Sequence, residues 1–311
     1  MVAAAVDPTY VIGVDLGGTK ILAGVADRTS TIVRSLERAT PVSSTDALLA
    51  ELDAMVEELL DDSIAALAFG IPATIDQRSG RAITAANLPL EDFPFRDRMR
   101  ERFGLPVGID NDANAAAIAE WAIGAGQGTT NMVMLTLGTG VGGGLILGGR
   151  PFRGSVGAAA ELGHIVIEHD GPRCQGVCTG RGHLEVLTSG TAAGKAAREL
   201  LGEQANAHDL VREAEAGNDA ARDALAEIGR KLGSGIGSLV NIFDPELVVI
   251  GGGFGAAGDL VLDPAREIMR REALEPARDF VRVVPAQLGP EAGVVGAALV
   301  AFETLDAAGA G

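Results

Sequence analysis

A chain of 311 residues has room for two domains of ordinary size, and its 47% hydrophobic content can fill a large core. Its net charge of −17, with lysine only at Lys20, Lys195 and Lys231, argues against a nucleic-acid or anionic-membrane surface and leaves phosphate binding to backbone N–H groups, Arg and metal ions. Residues Met1–Pro8 show no secretory leader, no apolar run of about 18 residues escapes interruption by glycine, and two cysteines without an export signal point to a reducing cytoplasm.

In chain order, the first apolar strand is Tyr10–Val14 and runs into Asp15-Leu-Gly-Gly-Thr-Lys20. Ile21–Ala26 continues as a second strand, which puts the glycines in a hairpin turn, and Ile32–Ser35 completes a meander. Ser44/Thr45 then opens a helix in which Leu48, Leu49, Leu52, Met55, Val56, Leu59 and Leu60 follow the 3.6-residue period. Ala65–Gly70 is a strand ending in Gly70-Ile-Pro-Ala-Thr-Ile-Asp76, and Pro106–Ile109 is another, ending in Asp110-Asn-Asp-Ala-Asn114 before a helix at Ala115–Ala125. The pattern then partly repeats. Met132–Leu137 leads into Gly138-Thr-Gly-Val-Gly-Gly-Gly144 and a strand at Leu145–Leu147. A helix over Ala220–Gly233 extends toward Phe243, a strand at Leu247–Ile250 ends in Gly251-Gly-Gly253, and Pro264–Glu275 is helical. Val281–Val284 is the last strand and Ala292–Leu305 the last helix, before an Ala/Gly tail from Asp306 that is expected to fray. Two similar α/β domains follow: residues 1–115, with a closing helix at 294–311 packed back on them, and residues 116–293.

Three glycine turns at strand ends are candidate phosphate sites, because without Cβ atoms the backbone can approach an anion closely. The first carries Asp15, which can hold Mg²⁺ through water, and the hydroxyl of Thr19. The second, at Gly138-Thr139-Gly140, lacks the Gly-Lys-Ser/Thr of a Walker A loop and is followed by a strand, so it is not a dinucleotide fingerprint either. The third, Gly251–Gly253, suits a nucleoside; each turn by itself is also an ordinary structural turn. In Asp110-Asn-Asp112-Ala-Asn114 a carboxylate can accept a proton from a hydroxyl, although Asp and Asn there also suit a helix cap.

Both cysteines and three of the four histidines, His164, His169 and His183, fall between Glu161 and Glu185. The spacing His164-x9-Cys174-x3-Cys178-x4-His183 suits a tetrahedral Zn²⁺ site, because thiolates and imidazoles are its preferred ligands. Two free thiols, or a Cys174–Cys178 disulfide, are the alternatives. His169, an odd number of residues from His164 on an extended stretch, faces away, and it and His208 read as surface residues.

Together, Asp15-Leu-Gly-Gly-Thr, Asp110-Asn-Asp-Ala-Asn, Leu137-Gly-Thr-Gly-Val-Gly-Gly-Gly, Glu161-Leu-Gly-His164, the Cys/His cluster and Asn241-x2-Asp-Pro-x5-Gly-Gly252 resemble the ROK family of bacterial sugar kinases and sugar-responsive repressors. The resemblance runs from Tyr10 to Phe302 and is strongest to the ATP-dependent glucokinases. It implies an α/β actin-like, hexokinase-type fold of two ribonuclease-H-like domains flanking a cleft, and transfer of the ATP γ-phosphoryl group to the 6-hydroxyl of glucose. It implies Asp112 as the base. Asn87, Asn111, Glu161, His164 and Glu185 would hold sugar hydroxyls. Asp15, Gly17, Gly18, Thr19, Lys20, Gly138, Thr139 and Gly140 would cradle phosphates and Mg²⁺, with Gly251, Gly252 and Gly253 beside the nucleoside. His164, Cys174, Cys178 and His183 would hold a structural Zn²⁺, and the chain would form a homodimer or homotetramer.

Two departures stand out. The family usually shows Cys-x-Cys-Gly-x-x-Gly-Cys-x-Glu, whereas here the first pair is opened and the last cysteine is His183; and Ala73 stands where Gly often follows Gly-x-Pro. Fructose, mannose or an N-acetylhexosamine as acceptor, and polyphosphate as donor, stay open. The repressors of the family carry a DNA-binding segment ahead of the first glycine turn, which here begins at Asp15, so the kinase reading is preferred to a repressor or an inactive sugar sensor.

Overall fold

The computed structural model describes residues 9–309 apart from Ala86 and Val177. The chain forms two compact units, one running to Ile123 and including Arg153–Ala159 and the chain from Pro290 on, the other comprising Gly124–Phe152 and Ala160–Gly289. The reading of Met1–Pro8 lies outside the described residues.

The first unit opens with a meander of β1 (Tyr10–Leu16), β2 (Lys20–Ala26) and β3 (Ile32–Ala39). Helix α1 (Thr45–Leu59) follows, and the Ser44 hydroxyl accepts the Ala47 N–H at 3.1 Å, which caps its start. The periodic residues Leu48, Leu49, Leu52, Met55, Val56 and Leu59 are buried, whereas Leu60, just past the end, is exposed. Each such burial contributes about 1.5–3 kcal/mol. Strand β4 (Ile64–Ile71) leads into a small sheet of β5 (Ala73–Asp76), β6 (Arg81–Ala85) and β7 (Glu91–Phe93), then helix α2 (Phe95–Phe103), β8 (Val107–Asn111) and α3 (Asp112–Ile123). The main sheet has the order β3-β2-β1-β4-β8, with β1, β4 and β8 parallel. The carboxyl ends of these three strands therefore lie side by side: Asp15 is opposite Gly70, and Gly70 is opposite Asp110.

The second unit repeats this plan. A hairpin of β9 (Met132–Leu137) and β10 (Val141–Ile146) is followed by α4 (Leu184–Thr188), α5 (Gly190–Leu201), α6 (Ala207–Glu215), α7 (Asp219–Phe243), β11 (Leu247–Gly251), α8 (Asp259–Glu272), α9 (Ala277–Phe280) and β12 (Arg282–Pro285). The sheet order is β10-β9-β11-β12, again an antiparallel hairpin with two parallel strands beside its first member.

Three of the differences from the sequence reading stand out. Gly142, Gly143 and Gly144 lie in β10, and the turn is confined to Gly138–Gly140. The reason is visible at Gly143, where an added Cβ would sit 2.4 Å from the Ala160 carbonyl oxygen, so glycine serves chain crossing rather than a turn. Helix α8 begins before Pro264 and carries it internally, at the loss of one backbone donor. The third is the tail, which is helical through Gly309.

The chain returns to the first unit as α10 (Ala292–Gly309), which packs along α3 and β1. At Gly296 an added Cβ would lie 1.8 Å from the Ala115 carbonyl oxygen, so glycine allows this α3–α10 contact. The span Gly289–Gly309 is long and apolar enough to cross a membrane, but half of its most apolar window is buried, as in a core helix. The division expected at 115 falls inside α3, which stays whole in the first unit as far as Ile123.

Candidate active site

In the first unit the candidate residues collect at the parallel strand ends, where α/β sheets bind ligands. The turn after β1 is closed by the Gly17 N–H donating to the Lys20 carbonyl at 2.9 Å, and the Thr40 hydroxyl donates to the Gly17 carbonyl at 2.7 Å. Asn87 packs on Gly18, whose missing Cβ would come within 3.2 Å of the Asn87 Cβ. The Asp15 carboxylate lies over the first turn of α10, where a Cβ on Gly293 would be 2.3 Å from it. Burial and then the neighbouring Asp112 push Asp15 up to about 7, against the pull of Lys20. A carboxylate that raises its neighbour in this way favours a cation between the two. Lys20 itself pairs with Glu37 at 2.9 Å on the exposed sheet surface, so it reaches Asp15 only as a nearby charge.

Asn111 and Asp112 form the corner between β8 and α3. The Asn111 Oδ1 accepts the N–H groups of Ala113 and Asn114 at 2.9 and 3.2 Å and caps the helix, while its Nδ2 donates to the Ala73 carbonyl at 3.4 Å. The capping reading of this motif is therefore realised at Asn111, and Asp112 occupies the first position of α3 beside Asp15.

In the second unit a cavity of about 630 Å³ is bounded by Gly138 and Thr139 of the second turn, Gly253 of the third, and the start of α5. The second turn is fastened from three sides. Gly190 N–H donates to the Gly138 carbonyl at 2.8 Å, the Thr191 hydroxyl to the Thr139 carbonyl at 2.7 Å, and the Val141 N–H to Glu185 Oε2 at 3.0 Å. Helix α5, capped by Ser189, begins at the cavity wall, which offers an anion the positive end of a twelve-residue helix. The third turn needs glycine at Gly252, with φ of 83°.

The Cys/His loop is zipped by the Leu184 N–H on the Ile165 carbonyl at 2.9 Å, the Ile167 N–H on the Gly182 carbonyl at 2.8 Å and the Cys174 N–H on the Gly180 carbonyl at 2.9 Å. This brings His164, Cys174, Cys178 and His183 together, with all four ligand atoms within 4.8 Å of one another. The two Nδ1 atoms are 3.2 Å apart, and the Sγ–Nδ1 separations are 3.7 Å (Cys174 to His164) and 3.6 Å (Cys178 to His183). Zinc bonds of about 2.0 Å to nitrogen and about 2.3 Å to sulfur in a tetrahedron require edges of about 3.3–3.8 Å, so this donor set fits Zn²⁺. Burial and the neighbouring Cys178 push the Cys174 thiol up to about 12. His169 stands exposed beside Asp170, outside the cluster, as its spacing predicts.

Glu185 joins the two features, because its Oε2 seals the second turn and its Oε1 lies 3.7 Å from Cys174 Sγ. Burial raises the pKa of Glu161; His164 opposes this and Glu185 adds to it, so Glu161, His164 and Glu185 are electrostatic neighbours.

The sequence reading missed the other cavity walls. His208, read as a surface residue, is exposed and also lines the cavity with Asn206 and Arg212 of the α6 region. A signal was present in Asn206-x-x-Asp209, a capping box that forms with both bonds and marks the start of α6.

A sequence profile of the ROK family matches residues 11–304. A glucokinase of Streptomyces coelicolor is 35% identical over 310 residues, covering 94% of this chain and 97% of that one. Among solved structures, a ROK family glucokinase from Streptomyces griseus in complex with glucose and AMPPNP is 36% identical with a TM-score of 0.83, over 94% of this chain and 99% of that one. A ROK hexokinase from Thermus thermophilus, also 36% identical, superposes with a TM-score of 0.85 over 96% of this chain and all of that one. The actin-like, hexokinase-type fold implied by the resemblance is thus the fold observed, and the chain belongs to the ROK family.

Proposed function

We infer that the chain is an ATP-dependent glucokinase, forming glucose 6-phosphate and ADP. The observation that carries this is Asp112 at the head of α3, beside Asp15 and the first glycine turn, in a chain similar over nearly its whole length to glucokinases. Asp112 takes the proton of the sugar 6-hydroxyl as that oxygen attacks the γ-phosphorus and ADP leaves. The residue acts chiefly by position, as is general for phosphoryl transfer.

The remaining roles belong to the same inference. In the first unit Asp15, through water, holds Mg²⁺, with Gly17, Gly18, Thr19 and Lys20 toward phosphate and Asn87 and Asn111 toward sugar. When bound, Mg²⁺ neutralises charge developing on the phosphates. In the second unit the Gly138-Thr139-Gly140 turn, its Gly138 N–H bonded to the Gly140 carbonyl at 2.9 Å, faces phosphate with the N–H groups of Thr139 and Gly140, and Gly251–Gly253 flank the nucleoside, Gly253 in the wall of the 630 Å³ cavity. Glu161, His164 and Glu185 bind sugar hydroxyls. His164, Cys174, Cys178 and His183 hold a structural Zn²⁺, for which the donor distances are the support. With His164 Nδ1 directed at the cluster, its Nε2 serves a hydroxyl.

We also infer a homodimer or homotetramer in the cytoplasm that binds neither nucleic acid nor membrane. The net charge of −17 and the exposed Ile242, Leu274 and Phe280 support this. The test of function is an ADP-release assay with ATP–Mg²⁺ against glucose, fructose, mannose and N-acetylhexosamines. Turnover greatest on glucose is the expected result; greater turnover on another hexose overturns the substrate, and none on any overturns the kinase.

A further inference from the structure

The corner that presents Asn111 and Asp112 is fixed by a carboxylate that the proposed chemistry does not use. Asp110 is 1% exposed at the end of β8. Its Oδ1 accepts the Asn111 N–H at 2.9 Å and the Asn114 Nδ2 at 3.2 Å, so one oxygen binds the last strand residue to the first turn of α3. Its Oδ2 accepts Arg153 Nε at 2.6 Å. Arg153 in turn places its two Nη atoms on the carboxylate of Glu303, in α10, at 3.2 and 2.8 Å. Burial raises the Asp110 pKa, while the charge and hydrogen bond of Arg153 oppose it.

Residues Arg153–Ala159 are the one stretch between Gly124 and Gly289 that belongs to the first unit. The segment is fastened there at a second point, where the Gln77 N–H donates to the Val156 carbonyl at 2.9 Å and the Gln77 Nε2 to the Ile109 carbonyl, also at 2.9 Å. Both contacts converge on the end of β8.

We propose that Arg153 is a positioning residue for phosphoryl transfer: held by Glu303, it fixes the Asp110 carboxylate, and Asp110 fixes the corner from which Asn111 and Asp112 act. The proposal rests on the glucokinase reading for its kinetics and on the geometry alone for its mechanics. A single planar guanidinium spans both carboxylates, which an ammonium cannot match in geometry. In Asp110→Asn one oxygen becomes an amide donor, and that donor faces either Arg153 Nε–H or the N–H of Asn111.

The experiment compares Arg153→Gln, Arg153→Lys, Asp110→Asn and the double variant Arg153→Gln/Asp110→Asn with wild type, measuring kcat, KM for glucose and ATP, and the folded fraction. We expect Arg153→Gln to lower kcat about 30-fold per folded molecule with KM for ATP within about twofold, and Arg153→Lys to recover about fivefold of it. The double variant should be no slower than the slower single one, because both changes break one contact. Loss explained wholly by the folded fraction, no recovery with lysine, or losses that multiply in the double variant would each overturn the proposal. The side-chain amide resonances of Asn111 and Asn114 are recorded on the same proteins. If wild type turns over no hexose, the kinase reading fails, and displaced amide resonances in Arg153→Gln then sustain the positioning role, whereas unchanged ones end it.

Discussion

The two glycine turns that follow the first strand of each sheet are the same backbone device with different surroundings. After β1 the turn carries Asp15, which has Asp112 close enough to raise its pKa and the first turn of α10 beneath it. After β9 the turn carries no acid. Its hydrogen-bonding groups are taken by Gly190, Thr191 and Glu185, and it forms part of a cavity wall. The strand order around both is alike, so the difference arises from side chains added to a common frame. The first turn concentrates negative charge, which suits a base and a cation. The second carries no acid of its own and is fastened, with the Glu185 carboxylate bound to its Val141 N–H, which suits a nucleotide and a bound loop.

The sharpest way to break this contrast is to remove charge from the first turn's neighbourhood. Asp112→Asn keeps the shape of the α3 head and loses the proton acceptor, and kcat should fall about 10³-fold, in the range general bases contribute. Steady-state ADP release measures it. A fall below tenfold would show that another group takes the proton.

On the second side the expected effects run through the Cys/His loop. Purified protein should hold about one Zn²⁺ per chain by elemental analysis, and Cys174→Ser or His183→Ala should lose it. Because His164 belongs to the cluster and Glu185 contacts it, loss of the ion should lower kcat/KM for glucose about 10²-fold, as for other disrupted ligand environments. Full activity in protein shown to be zinc-free would remove the ion from the function. A smaller effect should follow at Gly140, where an added Cβ would lie 2.2 Å from Glu185 Oε2. Gly140→Ala must push that carboxylate off the Val141 N–H, and KM for glucose should rise about tenfold to 30-fold while the protein stays folded, because a flexible acidic side chain can move at a cost of about 1–2 kcal/mol.

Much of this contrast is legible in the sequence, for identifiable reasons. Long apolar strands flanked by glycine, such as Tyr10–Leu16 and Met132–Leu137, announce themselves because both faces are buried. Helix α1 does so through its period and Ser44 cap. The spacing of His164, Cys174, Cys178 and His183 foretold a cluster, since short loops limit how far those ligands can separate. Less was visible where tertiary contact decides. The strands β5, β6 and β7 have only three to five residues, too few for a pattern such as the Ala-Thr-Ile-Asp of β5 to stand out, so they take shape from pairing with one another. Gly142–Gly144 read as a turn because glycine marks both turns and close crossings, and only the nearness of Ala160 distinguishes them. Arg153 carried no local signal at all: its partners Asp110 and Glu303 are 43 and 150 residues away in sequence. His208 was hidden by its exposure, which a cavity wall shares with ordinary surface.

The smallest effect isolates the charge of the first turn without catalysis. Asp15 is raised from 3.8 to about 7 in the fold. Below pH 3.8 the carboxyl is protonated whether the chain is folded or unfolded, and it contributes nothing to pH dependence. Between these values the unfolded chain releases the proton and the folded chain keeps it, so stability falls as pH rises, and above pH 7 the full penalty is present. A shift of that size corresponds to about 4 kcal/mol at most, and screening and local relaxation reduce it toward about 1–2 kcal/mol. Asp15→Asn should therefore be more stable than wild type at pH 8 in the absence of divalent cations, with the advantage shrinking toward pH 4. Urea unfolding at pH 4, 6 and 8 measures it. A difference that is constant across these three pH values would mean that the first turn carries its charge without strain, and the contrast with the second turn, which has no acid of its own, would then rest on catalysis alone.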